Sequence, residues 1–153
     1  MVRAVLVVLV VHSLALLALS KRWPTCNEHE VEPNSTPATA TLASSSLPAW
    51  PPPALCGDGN GWERDLWRVP LDYHSSWFLE GAAHFTLQAE GPCSMIVLSA
   101  QAPPFKPYAL VGRWESATGS IQTGEVGVVY WWKGFDHLVL SVQARGPYRL
   151  TYW

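Results

Sequence analysis

The chain has 153 residues and a formal net charge of −2, and only 14% of it is charged. That length holds one domain of moderate size plus short extensions. No basic stripe runs through it, which excludes nucleic acid as a partner class, whereas nine tryptophans, thirteen prolines and eleven glycines point to a turn-rich all-β fold.

Residues 4–19 are apolar except for His12 and Ser13, and Arg3 precedes them. Ala18-Leu19-Ser20 then places small residues where a signal peptidase reads. The run falls short of the ~20 residues that span a bilayer. Residues 1–20 therefore read as a secretory signal, with an uncleaved signal-anchor flanked by Lys21 and Arg22 as the alternative. Either way the rest of the chain enters the secretory pathway and is expected at the cell surface or outside it. The second reading adds a membrane tether.

Residues 21–56 hold seven prolines and eight Ser or Thr. Such a segment carries too little apolar surface to offset its ordering entropy, so it reads as a disordered stalk. Pro51-Pro52-Pro53 favours an extended polyproline II path. Asn34-Ser35-Thr36 is an N-glycosylation sequon, which makes a glycoprotein the expectation.

From residue 57 to 153 the texture changes. Runs at 84–89, 94–100, 108–114, 125–132, 137–144 and 148–153 read as strands. Phe85, Leu87 and Ala89 alternate with Thr86 and Gln88, which is the period of a half-buried strand. Turn chemistry separates the runs at Gly91-Pro92, Pro103-Pro104, Thr118-Gly119, Lys133-Gly134 and Gly146-Pro147. The expected architecture is an antiparallel β-sandwich of jelly-roll or immunoglobulin-like size.

Two stretches within it nearly repeat: "FTLQAEGPCSMIVL" (85–98) and "LSVQARGPYRLTYW" (140–153), at an offset of 55. Gln88/Gln143, Ala89/Ala144, Gly91/Gly146 and Pro92/Pro147 are identical. The differences invert charge, Glu90 against Arg145, so the scaffold is kept and the surface chemistry is not. The repeat therefore reads as two equivalent hairpins in a pseudo-symmetric scaffold.

Cys26, Cys56 and Cys93 are odd in number. In an oxidising compartment two pair and one remains. Cys56–Cys93 is the favoured bridge, with Cys26–Cys56 as the alternative. The spare thiol is then available for a disulfide-linked dimer. "CGDGNGWERD" brings Asp58, Asn60, Glu63 and Asp65, hard oxygen donors and so calcium candidates, into one glycine-rich loop, although the order departs from an EF-hand. No Cys-x-x-Cys and no Gly-x-Ser-x-Gly occurs, and no cofactor is implied. His74, His84 and His137, with Asp72 and Asp136 near two of them, make no evident triad. Trp62, Trp67, Trp114, Trp131 and Trp132 are the ligand-binding candidates, since exposed aromatics suit sugar stacking or a partner's hot spot. The adjacent pair at 131 and 132 must point to opposite faces of a strand.

Through "FLEGAAHFTLQAEG", "SMIVLSA" and "FDHLVLSVQARGPYRLTYW", residues 76–153 resemble the bacterial pre-peptidase C-terminal β-sandwich. The layout is also similar to the ectodomains of plant membrane-anchored RING-type ubiquitin ligases, with an echo in "GSIQ" (119–122). Three cysteines cannot form a RING, so the resemblance implies an accessory sandwich only. The functional expectation is a secreted or membrane-tethered, non-catalytic module that engages a protein or carbohydrate ligand through aromatics. The alternatives are a small hydrolase using Asp136 and His137, and a surface glycoprotein subunit completed by a partner chain.

Overall fold

The computed structural model describes residues 25–71, 80–100, 108–129 and 137–153. The signal segment, Trp77, Trp131, Trp132, Asp72, His74 and Asp136 lie outside the described residues. Within them the chain is all-β. Its strands are β1 (Glu28–His29), β2 (Thr41–Leu42), β3 (Ala54–Asn60), β4 (Asp65–Pro70), β5 (Glu80–Ala83), β6 (Phe85–Ala89), β7 (Cys93–Ala100), β8 (Tyr108–Ser116), β9 (Ser120–Gln122), β10 (Val126–Val129) and β11 (His137–Tyr152). Among the described residues no helix is long and apolar enough to cross a membrane.

The organising element is β11. It is 16 residues long, well beyond the usual ~5–6. Its first half pairs antiparallel with β4 and β7, its second half with β3 and β6. The outer neighbours continue the pattern: β8 pairs with β7 and β9 with β6. A separate ribbon joins β5 to β10.

This arrangement corrects the reading of the repeat. β6 and β7 pair with β11 and not with each other, so the first copy is not a hairpin. The second copy is one uninterrupted strand. The two copies are each other's partners. Tyr148 faces Ala89 on one side of the bend and Ala144 faces Cys93 on the other. The two ladders share one register, and Gly91 falls opposite Gly146. Gly-Pro here bends a strand instead of reversing it. Gly146 takes φ 86°, which a side chain would resist, and Pro147 needs no ladder donor at the kink.

One apolar cluster takes side chains from both halves of β11: Leu138, Leu140 and Val142 from the first, Tyr148, Leu150 and Tyr152 from the second. Phe85, Leu87, Met95 and Val97 join it in the alternation expected for β6 and β7. Trp67 is fully buried in the same cluster, and its indole N–H donates to Tyr148 Oη at 2.9 Å. This bond ties β4, paired to one half of β11, to a side chain on the other half.

Residues 25–56 depart from the stalk expectation, and the boundary expected at 56/57 has no counterpart in the packing. β1 runs parallel to β3 and β2 parallel to β4. The segment has no core of its own, but Ala43, Leu47 and Ala49 seat in the shared one. Its backbone is satisfied from outside: Ala43 N–H donates to Arg68 O at 2.9 Å and Leu47 N–H to Pro70 O at 2.8 Å. Tyr152 O–H donates to Ser45 O at 2.6 Å. The prolines at 33, 37, 48 and 51–53 fall outside β1 and β2, so neither edge ladder loses a donor to them.

The favoured cysteine pairing is also corrected. Cys26 bonds to Cys56, with Cα atoms 5.8 Å apart. Cys26 lies just before β1, whose parallel pairing with β3 holds this segment against the strand that carries Cys56. Cys93 is the remaining thiol, 6% exposed, and burial pushes its thiol pKa up. An interchain bond through it would first require that strand to open.

Candidate functional site

Residues 61–64 join β3 to β4. Gly61 takes φ 86° at the start of this loop. Asn60 Oδ1 then accepts from the N–H groups of both Trp62 and Glu63, each at 2.9 Å, and Asn60 Nδ2 donates to Glu63 Oε2 at 2.8 Å. Gln143 Nε2 donates to Gly61 O at 3.0 Å and ties the loop to β11. The loop is thus pre-organised by its own asparagine, and it holds Trp62 out at 89% exposure.

Beside Trp62 opens a cleft of about 780 Å³. Its walls include Ser94 of β7, Glu115 and Ser116 of β8, and Gln143 and Arg145 of β11, with the buried Cys93 beside them. Arg113 Nε donates to Glu115 Oε1 at 3.0 Å, so one wall carries an ion pair. The cleft sits where the strands bend at Gly91 and Gly146. An indole face beside amide, hydroxyl, carboxylate and guanidinium groups is the chemistry that receives a flat-faced polar ligand.

A second constellation lies where β1 leads away from β3. Glu30, Glu32 and Asp65 each offer a carboxylate oxygen, and these lie within 4.8 Å of one another. Tyr148 O–H donates to Glu30 Oε2 at 3.2 Å, and Asp58 N–H donates to Glu30 Oε1 at 2.6 Å. Gly57 is required here because the Tyr148 ring and the Glu30 carboxylate occupy the space of any Cβ. Asp65 is only 5% exposed. Burial, and then the charge of Glu30, push its carboxyl up to about 7. The Tyr148 phenol is also raised, by burial first and then by Asp65 and Glu30, so it remains a hydrogen-bond donor.

The sequence matches no protein-family model and none of the curated proteins compared with it.

The expected site residues divide accordingly. Trp62 is at the cleft. Trp67 is core, with its ring wholly buried, and is removed from the ligand-binding set. Trp114 is half-buried, packed on the core with its ring over Gly112, two residues back on the same face of β8. Trp131 and Trp132 lie outside the described residues. Of the calcium candidates, Asn60 and Glu63 serve the turn, Asp58 supplies a backbone N–H, and only Asp65 enters the carboxylate cluster. Asn34 is 1% exposed with its amide against Glu30 and Glu32, so a glycan on Nδ2 does not fit this packing. His84 stacks on Trp153 at 5.3 Å, and His137 meets Tyr108 edge-on at 6.2 Å. Glu30 and Glu32 were missed within the presumed stalk. "EHEVE" spaces carboxylates by two, which in an extended chain sets them on one face.

Proposed function

We propose that the protein is a non-catalytic accessory β-sandwich of the secretory pathway that binds a glycan in the cleft beside Trp62. The observation that carries this reading is an indole 89% exposed on a pinned loop, at a cleft of about 780 Å³ whose walls mix polar and apolar groups. Exposed tryptophan on a rigid mount offers a stacking platform with little entropy to lose on binding. The intramolecular disulfide is consistent with an extracellular location. The resemblance of residues 76–153 to accessory sandwiches supports the same class. The test is a saccharide array probed with the purified protein and with Trp62→Ala. Binding to one saccharide class, accompanied by a tryptophan fluorescence change and abolished in Trp62→Ala, is expected. An array with no hits, or hits that survive Trp62→Ala, refutes the glycan reading, and capture of a single protein ligand by a Trp62-dependent route would replace it.

A further inference from the structure

We propose that Glu30, Glu32 and Asp65, with the side-chain oxygen of Asn34, form a binding site for a calcium ion. Three observations converge on it. The first is geometric. The three carboxylate oxygens lie within 4.8 Å of one another. Oxygens bound to one calcium at ~2.3–2.6 Å stand up to about 5 Å apart, so a single calcium ion can bridge three oxygens at this spacing. The cluster fits calcium as it stands.

The second is an unanswered acceptor. Asp65 is 95% buried by the complement of its 5% exposure, and its Oδ2 has no hydrogen-bond partner. Among the described residues the ion pair formed is Arg113–Glu115, so no Lys, Arg or His is paired with Glu30, Glu32 or Asp65. Like-signed carboxylates at this spacing repel strongly at low local dielectric.

The third is the Asn34 amide. Turned one way, its NH₂ donates to Glu30 Oε2 at 3.4 Å; turned the other, it donates to Glu32 at 3.2 Å. In each orientation its oxygen faces the other carboxylate. A cation among these oxygens resolves that conflict, and Asn34 then supplies a fourth hard donor. The buried side of the site is already built: Trp67 N–H supports Tyr148, whose O–H supports Glu30, and such outer bonds hold a ligand in one orientation. The neighbouring Cys26–Cys56 bridge belongs to an oxidising compartment, where calcium modules work at about 10⁻⁴–10⁻³ M.

The test uses the purified full chain after chelation. Thermal midpoints are measured against calcium for wild type, Asp65→Asn, Glu32→Gln and Glu63→Gln, with terbium luminescence sensitised by Trp67 as a second readout. Glu32 is exposed, so Glu32→Gln folds even where Asp65→Asn does not. The expected result is a calcium-dependent rise in wild type and Glu63→Gln, half-saturation at least about tenfold higher in Glu32→Gln, and bound terbium displaced by calcium. The proposal is overturned if the midpoint ignores calcium and responds only to acidification, since a shared proton then holds the cluster. It is equally overturned if Glu32→Gln responds like wild type, or if magnesium stabilises where calcium does not.

Discussion

Removing Cys26 isolates the contribution of the N-terminal segment to the fold. The bridge spans 30 residues. Chain-entropy arithmetic for a loop of that size gives about 3.6 kcal/mol of stabilisation at 25 °C. The cross-link acts by restricting the unfolded ensemble, so its loss should also raise the denaturant slope as the freed chain expands. Cys26→Ala, Cys56→Ala, the double variant and Cys93→Ala would be unfolded in urea, with fluorescence and far-ultraviolet dichroism followed together. Cys26→Ala should lose about 3.6 kcal/mol, and the double variant as much as Cys56→Ala. Cys56→Ala should lose somewhat more, because its buried sulfur leaves a small void. Cys93→Ala should cost about 1 kcal/mol, the cost of a small cavity alone. In the wild type one thiol should react with a chromogenic disulfide reagent, and only on unfolding. A neutral Cys26→Ala beside a Cys93→Ala that loses the full amount would show that the bridge is Cys56–Cys93 and that the parallel β1–β3 docking is wrong.

Further predictions follow from the same packing. Tyr148→Phe leaves the Trp67 indole N–H buried without an acceptor, and should cost about 1–3 kcal/mol by denaturant titration; in a cycle with Trp67→Phe the two losses should be non-additive. Trp62→Ala should change stability by less than about 0.5 kcal/mol in the same assay, since the side chain is in solvent. Gly119→Ala meets both φ 83° and the carbonyl oxygens of Ala89 and Gly91, and should cost at least about 1–3 kcal/mol, whereas Gly124→Ala, with open space around it, should be near neutral. Expression through a eukaryotic secretory pathway, followed by mass spectrometry with and without glycosidase, should find Asn34 unmodified in the folded protein.

What could be read from the sequence was local periodicity. Phe85, Leu87 and Ala89 announce a half-buried strand, and the structure has β6 there with that alternation. Gly146-Pro147 was ambiguous for a physical reason. A glycine beside a proline serves a reversal or a kink equally well, and the outcome depends on whether a partner strand continues past it. Here Cys93 and Ala89 continue the ladder on either side. Trp62 and Trp67 are the same residue type five positions apart, and composition cannot separate them. Their fates differ because Asn60 caps the first into solvent, whereas the second aligns with Tyr148. The N-terminal segment misled because a compositional test judges a stretch by the apolar surface it owns. Leu47 and Ala49 succeed by entering a core that later strands provide. Glu30 and Glu32 were invisible for the same reason, since their proximity to Asp65 exists only once β1 is docked.

The placement of β11 governs the order in which the molecule can assemble. On the ribosome β3, β4, β6 and β7 are all synthesised before the strand with which all four pair. Each waits with an open edge until residues 137–152 emerge, and only then do both halves close in one event. Folding therefore waits for β11 and is dominated by contacts distant in sequence, the regime of slow barrier crossing. Nascent chains halted short of β11 should engage chaperones that hold unpaired strands, because an uncovered edge is the surface on which such chains associate.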